Sequence, residues 1–97
     1  MFGILFEKLK LKTFYHVTPV DNVDLIKKEG LRPGSFVTSS LEDAEGMRDY
    51  IADYDKIQAT IMELDLTPEQ VDKLTVDELQ PNSYETHDVI PVENLNW

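Results

Sequence analysis

The sequence predicts an α+β domain. Two-residue alternation marks strands in Leu11–Val17 and Lys56–Leu66, and a helical period marks Pro19–Glu29 and Leu41–Tyr54. These segments interleave as strand, helix, glycine turn, strand, helix, strand, loop, strand. Size agrees, because 97 residues make one domain, long enough to withdraw roughly two-thirds of its unfolded surface from water.

The individual elements follow from local chemistry. Phe2, Leu5, Phe6 and Leu9 recur at helical spacing, although the same apolar run also fits an edge strand. Leu11, Thr13, Tyr15 and Val17 alternate with Lys12, Phe14 and His16 in a strand that ends at Thr18-Pro19. Val20, Val23 and Ile26 then mark a helix with Asp21 as N-cap and Gly30 as a left-handed C-cap. Leu31-Arg32-Pro33-Gly34 is turn chemistry, and Ser35–Ser39 is a short strand. Ser40 caps a helix over Leu41–Tyr54, with Asp43 placed to reach back to the cap, and Leu41, Ala44, Met47, Tyr50, Ile51 and Tyr54 as its expected buried stripe. Ile57, Ala59 and Ile61 alternate with Gln58, Thr60 and Met62 in the next strand. Thr67-Pro68 opens a short helical turn through Leu74, Asp77–Ser83 is loop, and Tyr84–Val89 is a last strand interrupted by Pro91.

Composition narrows the chemistry. A net charge of −10 is unevenly spread: residues 1–40 hold six basic and four acidic side chains, and the rest hold three and fifteen. Phosphate contacts are therefore expected from the front half, while the acidic back half serves solubility or a basic partner. Cysteine is absent, which excludes disulfides, iron–sulfur clusters, thiolate metal sites and a cysteine nucleophile; with two histidines, no metal is expected. Met1–Phe6 stops at Glu7 with no basic flank or cleavage pattern, so neither a signal peptide nor a membrane span is expected and the cytoplasm is the default location.

Four stretches taken together resemble a known family. Phe14-Tyr15-His16-Val17-Thr18-Pro19 is followed by Gly30-Leu31-Arg32-Pro33, then by Phe36-Val37-Thr38-Ser39-Ser40 opening a helix, and Ile90-Pro91-Val92-Glu93-Asn94-Leu95 closes the chain. This resembles the ADP-ribosyltransferase-like superfamily, which includes RNA 2′-phosphotransferases and DNA ADP-ribosyltransferase toxins. The resemblance covers about residues 13–97, with 1–12 as an N-terminal extension. It implies a small fold whose two main helices pack on a split mixed sheet, with NAD as substrate and no metal. It further implies that His16 anchors the ribose, that Tyr15, Thr18, Phe36, Thr38 and Ser39 line the nicotinamide site, and that Arg32 meets the diphosphate. A late carboxylate, Glu85, would polarise the ribose or an acceptor, with Tyr84 as the alternative cleft-facing residue. Phe36 stands where a Tyr is common, and the His and additional Arg residues of the phosphotransferase branch are missing.

Each of these residues also has a purely structural explanation. A strand histidine often satisfies a buried backbone group, Thr38, Ser39 and Ser40 suit a strand end and helix cap, and a turn Arg or a surface Glu is commonly solvated. Two functions are therefore expected in competition. One is an NAD- or ADP-ribosyl-binding domain capable of ADP-ribosyl transfer or NAD glycohydrolysis, with a protein or nucleic-acid acceptor. The other is a catalytically inactive acidic module, inhibitor- or antitoxin-like, that binds a basic protein.

Overall fold

The structure, a computed structural model, describes residues 11–80 and 82–96. The turn expected over Phe2–Leu9 lies outside them. Strand β1, Lys12–Pro19, leads through a 3-10 turn at Val20–Asn22 into helix α1, Val23–Glu29. Strand β2, Phe36–Thr38, precedes helix α2, Leu41–Tyr50, which runs on as a π-helical turn over Ile51–Asp55. Then come β3, Ala59–Leu66, α3, Pro68–Asp72, β4, Thr75–Val76, β5, Ser83–Glu85, and β6, Leu95–Asn96.

The α+β class is the one that forms, with one correction to the sheet. In place of a split mixed sheet, the strands make a single six-stranded sheet in the order β4-β5-β2-β1-β3-β6, with every described pairing antiparallel. Its centre is thin. β1 and β3 pair without interruption from Lys12 opposite Leu66 to Pro19 opposite Ala59, whereas β1 and β2 meet at Tyr15 opposite Thr38.

An unbroken antiparallel register fixes which side chains share a face. Phe14, Met62, Leu64, Leu66, Val37 and Leu95 are buried on one face, where Tyr84 meets Phe14 edge-on at 5.6 Å. Ile26 of α1 and the half-buried Val71 and Leu74 at α3 close over this core. Tyr15 and Val17 belong to the opposite face, against which α2 lies, with Ala44 as its one buried residue.

Several boundaries move for identifiable reasons. β1 ends at Thr18-Pro19 as expected, a proline being tolerated at a strand end. The helix therefore starts later: the Val20 amide donates to the Gln58 carbonyl, and Asp21 makes no capping bond. Gly30 has the positive φ expected, +85°, but an extended ψ rather than a left-handed one, because Leu31 must bridge to Ile90. β5 is shorter than the strand expected through Val89, and β4 was expected as neither strand nor helix. The Thr67 cap forms completely, with Gln70 returning the bond to the Thr67 amide.

The largest correction concerns α2. Ala44 is buried and Ile51 half-buried, but Leu41, Met47, Tyr50 and Tyr54 are exposed. The helix seats only a narrow edge on the sheet, so most of its apolar stripe faces solvent.

Candidate ligand cleft around His16

Where α2 fails to cover the sheet, a cleft of about 570 Å³ opens between the helix and strands β1 and β2. Its floor comes from Tyr15, His16, Val17, Phe36, Val37 and Thr38, and one wall from Asp43, Ala44 and Met47 of α2. Gly34 and Ser35 close one end, and Asp77 and Gln80 of the β4–β5 connection with Ser83 of β5 close another.

By register His16 starts from the core face, opposite Met62, but its ring reaches across the thin β1–β2 joint toward β2 and borders the cleft there. Its Nδ1 lies 2.7 Å from the Phe36 carbonyl. A carbonyl only accepts, so Nδ1 carries the proton and Nε2 is left as an unprotonated acceptor. Burial pushes the imidazole pKa below its ordinary 6.5, while the Phe36 carbonyl pulls the other way and loses. At neutral pH the ring is therefore uncharged, orientated by backbone, and able to accept a hydrogen bond at Nε2. The Nδ1 bond to Phe36 links β1 to β2 beyond their single paired position, the structural role expected of a strand histidine.

Local sequence explains how the surrounding walls are held. Thr38 Oγ1 accepts the Ser40 amide at 3.1 Å, and Ser40 Oγ accepts the Asp43 amide at 3.2 Å. Because Thr38 takes the Ser40 amide, the Asp43 carboxylate does not complete the expected capping box and lines the cleft instead. The Arg32–Ser35 turn is pinned from behind by Thr86, which is 1% exposed. Thr86 Oγ1 accepts the Ser35 amide and donates to the Arg32 carbonyl, both at 3.1 Å. Its main chain pairs with Ser35 and Gly34 at 2.9 and 2.7 Å.

The sequence-derived candidates separate. Tyr15, His16, Phe36 and Thr38 line the cleft. Thr18 is buried opposite Thr60 and is not among the lining residues. Ser39 lies outside the lining and donates its amide to the Asn82 carbonyl. Arg32 is exposed in the turn two residues before Gly34. Glu85 pairs with Phe36 and shares the cleft face of the sheet but is not among the lining residues. Tyr84 is settled by its contact with Phe14: it faces the core.

Asp43, Met47, Asp77 and Gln80 were not singled out as site residues. The spacing of Asp43 and Met47 was visible, but the same pattern was read as cap and core. No local signal marks Asp77 or Gln80, which reach the cleft through the β4–β5 hairpin. The lining holds two carboxylates and no lysine or arginine. Among the described residues no helix is long and apolar enough to cross a membrane, and no cluster of His, Asp and Glu is arranged to hold a metal ion. Compared with known protein families and with curated proteins, the chain matches none.

Proposed function

We propose that the His16 cleft binds the nicotinamide–ribose end of NAD or of a related ADP-ribosyl compound. The observation that carries this reading is the fixed tautomer of His16: Nδ1–H is held by Phe36, which leaves Nε2 as a neutral acceptor for a ribose hydroxyl. Tyr15 and Phe36 supply aromatic surface in the same lining. Asp43 and Asp77 favour the positively charged pyridinium over phosphate, so the diphosphate is directed outward, toward the side on which Arg32 stands.

Such a site supports cleavage of the bond between C1′ and the pyridinium nitrogen. The electron pair leaves with nicotinamide, and the oxocarbenium-like ribose is then captured by water or by an acceptor hydroxyl or amine, which loses a proton. The lining carboxylates stabilise the developing positive charge. Isothermal titration with NAD tests the binding step, followed by nicotinamide release for the chemistry. His16→Asn is the informative variant, because its amide nitrogen can replace Nδ1 on the Phe36 carbonyl but offers no acceptor at the Nε2 position. Its affinity for NAD should fall about tenfold or more while the fold is kept, the worth of one directed hydrogen bond. Absence of wild-type binding at millimolar NAD, or equal binding by His16→Asn, refutes the proposal.

A further inference from the structure

Asp43, Met47, Tyr50 and Tyr54 follow one another at spacings of four, three and four residues, so they form one stripe along α2 and its π-helical turn. The stripe begins in the cleft wall at Asp43 and Met47 and ends outside it at the two tyrosines. Tyr50 and Tyr54 are 58% and 72% exposed, yet their rings stack with centroids 4.5 Å apart and planes inclined by 25°. Two large aromatic faces are thus held parallel in solvent, with no core beneath them.

The charge around this platform is one-sided. Residues 41–57 carry Glu42, Asp43, Glu45, Asp49, Asp53 and Asp55 against Arg48 and Lys56, and Arg48 is engaged by Asp49 at 3.2 Å. Gly46 adds clearance on the same side of the helix, since a Cβ there would meet no atom within 4 Å. An aromatic face inside a negative field suits a guanidinium, which stacks flat on tyrosine while its N–H groups reach carboxylates. The same field repels nucleic-acid phosphate and anionic lipid.

We infer that this stripe is a docking surface for an arginine-bearing, extended segment of a basic protein partner. Its ligand is distinct from the dinucleotide of the cleft, since Tyr50 and Tyr54 lie outside the lining, and titration without NAD lets either reading fail alone.

Fluorescence anisotropy with a labelled peptide of alternating arginine and glycine provides the test. The peptide should bind, its affinity should fall as salt rises from about 50 to about 300 mM, and the lysine counterpart should bind several-fold more weakly for want of a planar cation. Tyr50→Ala with Tyr54→Ala should weaken binding about tenfold. Gly46→Lys, which introduces charge and bulk at an open helical position and improves helix propensity, should do the same in a fully folded protein, while Gly46→Ala should not. Absence of binding, equal affinity for the arginine and lysine peptides, or insensitivity to both the tyrosine and Gly46→Lys changes overturns the inference. Sedimentation showing that the chain alone dimerises through this face, with dimers lost in the tyrosine variant, overturns it as well.

Discussion

Replacing Thr86 by valine removes one hydroxyl from behind the cleft wall and little else, because the two side chains have the same shape. Two bonds are affected unequally. The Arg32 carbonyl keeps the Ser35 hydroxyl, which donates to it at 2.6 Å, but the Ser35 amide loses its side-chain acceptor. A partly buried donor left unpaired costs about 1–3 kcal/mol. For a domain of this size about 2 kcal/mol lowers the melting temperature by about 8–16 °C. Thr86→Ser is the control: it keeps the hydroxyl and loses a buried methyl, about 0.8 kcal/mol. Urea unfolding with an unchanged slope measures both. The valine variant should be the less stable, and its affinity for any cleft ligand should fall too, since Gly34 and Ser35 form part of the wall. A serine variant less stable than the valine variant, or a valine loss below about 0.5 kcal/mol, would refute the assignment of Thr86 as the pin of this turn.

Two further outcomes follow from single residues. His16 is neutral in the fold and its pKa is lowered by burial, so the unfolded chain takes up the proton first. Its contribution to stability is complete above about pH 6.5 and is lost as pH falls from there toward the folded pKa; urea midpoints between about pH 7.5 and 5.5 should show this decline, and His16→Asn should flatten it. Gly30→Ala combines a positive φ with a Cβ 2.5 Å from the Ile90 carbonyl, and relieving that contact breaks the paired 2.9 Å bonds between Leu31 and Ile90; it should cost about 3 kcal/mol, and a loss under about 1 kcal/mol would show that the segment re-forms without them.

What could be read from the sequence was what a few neighbouring residues decide. The Ser40 and Thr67 caps were legible because donor and acceptor lie three residues apart, and Gly30 because its helix has to stop there. β4 was not, since a two-residue strand exists only through its pairing with β5. The stripe on α2 shows the limit most clearly. Met47, Tyr50 and Tyr54 have the period of a core face, and periodicity reports amphipathicity without reporting whether a partner covers it. The His16 strand was visible for its composition, but the thin β1–β2 joint that gives the ring its backbone partner is a property of the whole sheet. Asp43 was read as a cap residue. The Thr38 hydroxyl supplied the competing acceptor, and that sets the carboxylate in the cleft.

The placement of Asp43 and Asp77 makes a final prediction about which part of a dinucleotide the cleft prefers. NAD carries a diphosphate with two negative charges and a pyridinium with one positive charge, whereas nicotinamide riboside carries only the positive charge. In a solvated cleft each carboxylate about 8 Å from a phosphate charge opposes it by about 0.5 kcal/mol before screening. The riboside should therefore lose far less affinity than the removal of an adenylate normally costs. Salt should weaken the riboside by screening its attraction and act far less on NAD, in which pyridinium attraction and diphosphate repulsion nearly cancel. Asp43→Asn should repeat that difference at constant salt, weakening the riboside about twofold or more and leaving NAD nearly unchanged. Parallel titrations of both ligands against both proteins read this directly. If NAD tightens at low salt and Asp43→Asn leaves the two ligands unchanged relative to each other, phosphate is being met by cations, and the outward path assigned to the diphosphate is wrong.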